Sequence, residues 1–214
     1  TVYSQLKEQP RTSTGNFWHK KIYPHQIWLD GLYMAQPFYM QYEAEYNGCK
    51  NCEDSYQQFL QVYGRMRDPL NGLYYHAYDD SRQMFWCDKV TGLSENFWLR
   101  AMGWYAMALI DTMEVMPESM ACQKARLNAI YKELIDAMLP YQDQATGMWY
   151  QVVNRGGIAP NYLEESGSAI FAYAIMKSVR LHYLPEDYFK YGQKAFDGIC
   201  STCLLYTSPS PRDR

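Results

Sequence analysis

No apolar run in this sequence approaches the roughly 20 residues that a membrane-spanning helix requires. No stretch of Lys and Arg is long enough to track a phosphate backbone, and 20 basic residues face 23 acidic ones, for a net charge of −3. That balance speaks against nucleic acid as a partner, and the lack of an apolar run speaks against a membrane. No charged-then-apolar leader opens the chain, but its first residue is Thr1 rather than Met, so the compartment stays open between the cytoplasm and the periplasm of a bacterium.

Cysteine is also sparse, at six residues. Cys49-x-x-Cys52 and Cys200-x-x-Cys203 together imitate a four-thiolate zinc site. Cys203, however, begins a run from Cys203 to Asp213 that looks like the translation of a transposase sequencing adapter, so residues 203–214 are expected to be a non-native, disordered tail. Setting them aside leaves a lone C-x-x-C, expected to be a pair of unbridged structural thiols with a local disulfide or a redox role as the alternative. No metal and no cofactor is expected.

Aromatic rings are abundant. They make up 16% of the chain, with 21 Tyr and 6 Trp. Pyranose C–H faces pack on such rings while Tyr and Trp edges meet hydroxyls, so a sugar cleft is one explanation. The other is that rings simply fill a helical core, and composition does not choose between them.

A repeat is visible. Asp68 to His76 and Asp143 to Gln151 share Asp, Gly, an apolar residue, an aromatic residue and Tyr in the same register, 75 residues apart. Each copy follows an amphipathic segment, Tyr56 to Met66 and then Ile130 to Tyr141, and precedes a more apolar one, marked by Phe97 to Leu109 and by Ile170 to Met176. A buried helix is expected earlier, from about Asp30 to Tyr46, and an amphipathic one later, from about Glu186 to Ile199 behind Pro185. Three buried-plus-amphipathic pairs predict an all-α chain, a partial α/α toroid of about three helical hairpins in residues 1–202. The Gly-aromatic segments Gly72 to Tyr78 and Gly147 to Val153 are expected to form small β-hairpins. In such a toroid the starts of the inner helices open on one face, which brings Asp30, His76 and Trp98 together.

Phe17-Trp18-His19-Lys20, Trp28-Leu29-Asp30-Gly31-Leu32-Tyr33-Met34, Tyr75-His76 and Phe97-Trp98-x-Arg100-Ala101-Met102-Gly103-Trp104 resemble, in that order, the motifs of glycoside hydrolase family 105, the unsaturated rhamnogalacturonyl hydrolases. The resemblance covers about residues 10 to 185 and implies a six-hairpin α/α barrel of which this chain supplies about half. It implies a second acidic site residue upstream of Thr1 and further hairpins beyond Ile199, so the isolated chain is expected to fall short of the whole protein's activity and to be poorly soluble or prone to associate through uncovered apolar surface.

The activity implied is removal of a 4,5-unsaturated galacturonyl residue from the non-reducing end of pectin-derived oligosaccharides. Vinyl-ether hydration needs one carboxyl group, which gives a proton and then takes one from water, rather than the opposed carboxylates of most glycosidases. The resemblance puts Asp30 in that catalytic role, with Trp28 and Leu29 expected to desolvate it. Substrate contacts carried over are His19, Trp28, His76, Trp98, Arg100 and Trp104: imidazoles for hydroxyls or water, Arg100 for the uronate carboxylate or a hydroxyl, tryptophans for stacking. The plain alternative for Asp30 is a helix cap, for the histidines a packed core or loop role, and for Trp98, Arg100 and Trp104 an aromatic ladder with an internal salt bridge. His25 and His182 read as surface or packing residues, and Trp18, Trp86 and Trp149 as packing. A glucuronyl-specific hydrolase acting on glycosaminoglycan-type fragments and a non-catalytic glycan-binding toroid are the rival functions.

Overall fold

The computed structural model describes residues 2–202, and the expectation of a disordered tail at 203–214 lies outside them. Seven helices and one two-stranded sheet make up the described residues: α1 (Val2–Glu8), β1 (Gln26–Trp28), α2 (Leu29–Tyr46), α3 (Cys52–Met66), β2 (Ala77–Asp79), α4 (Leu99–Val115), α5 (Ala121–Met138), α6 (Glu165–Arg180) and α7 (Phe189–Thr202).

The helices pack as three antiparallel hairpins, α2 with α3, α4 with α5 and α6 with α7. α2, α4 and α6 also pack side by side, α4 between the other two, and form the inner layer of an arc. Sequence explains the layering. α4 buries Leu99, Met102, Tyr105, Ala106, Leu109, Ile110 and Met113 around most of its circumference, as a helix with neighbours on several sides must. α3 and α5 bury one stripe each: Phe59, Val62 and Met66 on α3, and Leu127, Ile130, Leu134 and Met138 on α5. The chain is thus the partial α/α toroid expected from the apolar periodicity. Short α1, which buries none of its residues, was not anticipated.

Three related turns connect the layers. Asp68 to Gly72, Asp88 to Gly92 and Asp143 to Gly147 each close with the Gly N–H donating to the Asp carbonyl, at 2.9, 2.8 and 2.8 Å. Each Gly has a left-handed φ, between 75° and 79°, which explains why the repeat keeps Gly at that place. Each Asp carboxylate accepts a backbone N–H inside its own turn, from Leu70, Thr91 and Thr146.

One expectation is extended and one is corrected. The Gly-aromatic segments form small local hairpins, Arg67 bridging Tyr74 and Tyr150 bridging Leu163, both antiparallel, and they also pair at a distance: β2 lies antiparallel to β1, and Val152 bridges Trp98. Their free edges are used to tie a later loop to the start of an earlier inner helix, which sequence-local reasoning does not reach. The Cys49-x-x-Cys52 thiols are joined in a disulfide just before and at the start of α3, where the left-handed Cys49 (φ 58°) folds its side chain toward Cys52.

Candidate active site

The first residues of the inner helices meet the returning loops at one end of the arc. The Leu29 N–H donates to the His76 carbonyl at 3.1 Å, and the Leu99 N–H donates to the Gln151 carbonyl at 2.9 Å. His76 and Gln151 hold the same place in the 75-residue repeat, so the repeat reproduces one device: an orphan helix N–H satisfied by a loop carbonyl. The device sets His76 beside the start of α2.

Extended backbone precedes each inner helix, at Trp28, Trp98 and Glu164, and Asp30, Arg100 and Ser166 follow two residues later. Trp28 is the centre of the resulting cluster. His19 stacks on it with ring centroids 5.6 Å apart, and His76 meets it edge-on at 5.5 Å. Trp98 in turn meets His76 edge-on at 6.0 Å. The Trp28 indole N–H donates to Gln26 Oε1 at 2.9 Å, which fixes the ring plane.

Asp30 does not cap its helix. The N-cap of α2 is Trp28, with no side-chain cap hydrogen bond, and Asp30 Oδ1 is shielded from solvent without a hydrogen-bond partner among the described residues. Both imidazoles feel the Asp30 charge. Burial holds the His19 and His76 pKa values below the ordinary 6.5, and the Asp30 charge works against that depression at each ring. The histidines are therefore neutral hydrogen-bonding groups around neutral pH. His76 Nδ1 is within reach of Ser94 Oγ (3.0 Å) and the Asn96 carbonyl (3.1 Å), whereas His19 Nδ1 is buried and has no hydrogen-bond partner among the described residues.

The loop bearing His19 is held from below by α3. Arg11 forms a two-pronged bridge to Asp54, both contacts at 2.7 Å, which depresses the Asp54 pKa against the effect of its burial. Gln58 accepts the Phe17 N–H at 3.0 Å and donates to the Gly15 carbonyl at 3.1 Å. Beside this loop a cavity of 350 Å³, within the range of small-ligand sites (roughly 300–1,000 Å³), is lined by His19, Trp28, Gly31, Gln9, Trp18 and Gln36 among others.

Arg100 lies over the Trp98 ring, its guanidinium carbon 4.7 Å from the centroid, and Nη1 donates to Glu164 Oε1 (3.3 Å) and Ser166 Oγ (3.2 Å). Trp104 packs against Tyr33 at 5.0 Å, a turn further along the inner helices, apart from the Trp28 cluster. His19, Trp28, Asp30, His76, Trp98 and Arg100 thus gather at one end, and Trp104 lines the layer below. Trp149 is fully buried, its indole donating to the Met138 carbonyl. His25 and His182 are exposed.

Trp86 packs edge-on against Trp28 at 6.0 Å, which sets it beside the cluster, and Tyr23 stacks on the same indole at 6.1 Å. Glu164 was missed. Its signal is positional, as it stands before α6 where Trp28 and Trp98 stand before α2 and α4.

Residues 1–207 match the family model described as Glycosyl Hydrolase Family 88. A solved family 105 glycoside hydrolase from C. acetobutylicum ATCC 824 is 44% identical, with a TM-score of 0.92 over 97% of this chain and 57% of that one. Protein Atu3128 of Agrobacterium fabrum is 38% identical over 151 residues, 71% of this chain and 63% of its own length. Unsaturated rhamnogalacturonyl hydrolase YesR of Bacillus subtilis is 29% identical over 202 residues, 91% of this chain and 53% of its own length. The chain spans between 53% and 63% of these two curated relatives. It belongs to Glycosyl Hydrolase Family 88 and to glycoside hydrolase family 105, the family whose motifs surround Asp30.

Proposed function

We propose that this protein hydrolyses oligosaccharides carrying a 4,5-unsaturated galacturonyl residue at the non-reducing end, of the kind left when lyases cut rhamnogalacturonan. The observation that carries the proposal is the Asp30 carboxyl group, free of any capping duty, with Oδ1 shielded and without a hydrogen-bond partner among the described residues, at the start of the helix beside Trp28 and the two imidazoles packed on it. Family membership and the name of the YesR relative support the choice of an unsaturated uronide as substrate.

In this reading the protonated Asp30 carboxyl gives its proton to C4 of the vinyl ether, leaving oxocarbenium character at C5 beside the ring oxygen. Water adds at C5, and the Asp30 carboxylate takes the proton that water sheds, so one group serves as acid and then as base. The resulting hemiketal opens and releases the leaving sugar. Neutral His19 and His76 donate or accept hydrogen bonds at the sugar hydroxyls or the attacking water, and Trp28 supplies a face for the ring.

The test is loss of ultraviolet absorbance from the conjugated uronate when a full-length version of the protein is incubated with an unsaturated rhamnogalacturonan disaccharide. A glycan-binding protein leaves the double bond intact and the absorbance unchanged, and that result would remove the hydrolase reading. A glucuronyl-capped disaccharide run in parallel separates the two uronyl specificities: faster loss with the galacturonyl substrate is expected.

A further inference from the structure

We infer that Glu164 is a positioning residue for Arg100, holding its guanidinium over Trp98 so that it meets the substrate as a fixed hydrogen-bond donor with its charge already matched. The inference rests on the proposed reaction and adds a residue that the motif resemblance did not carry.

Glu164 is itself immobilised. Its side chain is 7% exposed, and Oε2 accepts the Gly167 N–H at 2.6 Å as the N-cap of α6. The Ser166 hydroxyl donates to Oε1. The Glu164 N–H donates to the Trp149 carbonyl at 2.9 Å, and its carbonyl accepts the Ser168 hydroxyl at 2.6 Å. Room for this arrangement depends on Gly167, where a Cβ would lie 2.6 Å from both Glu164 Oε2 and Leu99.

Arg100 reaches this anchor from the neighbouring inner helix, and its side chain is 39% exposed. Without the anchor a guanidinium with that much exposure would sample several rotamers. Bonded to Oε1 and Ser166 Oγ through Nη1 and stacked on Trp98, it is confined to one plane, and the charge match with Glu164 weakens its pull on a free carboxylate. Its other donors have no protein partner among the described residues, which leaves them for sugar hydroxyls.

Glu164→Gln keeps an oxygen for the Gly167 N–H and removes the charge. In the full chain, assayed on the unsaturated disaccharide, it is expected to raise KM about tenfold with kcat changed less than about threefold, and to add less than about twofold in an Arg100→Ala background. Glu164→Asp, which keeps the charge, is expected to recover part of the loss. An equal effect of Glu164→Gln in both backgrounds, or none in either, overturns the inference. A substrate-free readout stands beside the kinetics: the Arg100 Nε–H and Trp98 indole N–H resonances should shift in Glu164→Gln, and unmoved resonances overturn the inference. If the unmutated chain leaves the unsaturated uronate intact, the reaction assigned above fails, while the resonances still decide whether Glu164 places Arg100.

Discussion

The imidazole of His19 rests on the bare backbone of Gly31: a methyl group there would lie 2.9 Å from His19 Nδ1. The ring cannot simply swing away, because Trp28 stacks on one side of it and Tyr23 also stacks against it, at 6.2 Å. Gly31→Ala should therefore displace His19 from the mouth. A misplacement near 1 Å lowers kcat/KM by up to about 100-fold. The melting temperature should move little, since Ala in a helix is favoured over Gly by roughly 0.5–1 kcal/mol, which offsets the crowding. Unchanged kcat/KM in the variant would show that His19 takes no part.

Gln58 tests whether the loop carrying His19 needs its anchor. The side chain is 2% exposed, and it accepts the N–H of Phe17, itself 9% exposed. Gln58→Leu keeps the bulk and strips the acceptor, so a buried donor is left unmet at a cost of roughly 1–3 kcal/mol. Urea denaturation should show that loss, with a fall in kcat/KM beyond what the unfolded fraction explains. A variant as stable and as active as the parent would mean the loop is held some other way.

Both site histidines are kept below their ordinary pKa of 6.5 by burial, and the sign of the consequence follows. Unfolded chains take up protons near 6.5 while the folded site resists them until lower pH. The stability contribution of neutral His19 and His76 is therefore complete above 6.5 and is lost as pH falls from there toward the folded values. Urea midpoints measured above and below 6.5 should drop on the acid side, and His76→Gln should flatten that drop. The acid limb of kcat/KM should also lie below 6.5. An unaltered slope in His76→Gln would contradict the assignment.

The helical layers were legible because apolar periodicity reports burial directly. α4 is apolar on most sides and lies between neighbours, while α3 carries one apolar stripe and packs by it. The gathering of Asp30, His76 and Trp98 followed from the same periodicity, since the starts of the inner helices share one end, whereas Trp28 came from the motif resemblance. What was not legible depends on pairing across distance. The β1–β2 register, the Trp98–Val152 bridge and the Arg100–Glu164 tie join segments that no local pattern connects. The Cys49–Cys52 bond depends on a left-handed backbone at Cys49, which the spacing alone does not specify. Trp86 reaches Trp28 from a loop with no periodicity to read.

The most direct measurement is turnover of an unsaturated galacturonyl disaccharide by Asp30→Asn beside the unmutated protein, both in a full-length version, with melting curves to verify folding. The substitution keeps the shape and removes the transferable proton. The expected result is an intact fold and a rate lower by roughly 100- to 10,000-fold, the span general acid–base catalysis contributes. Turnover at the parental rate by a folded Asp30→Asn would contradict the account.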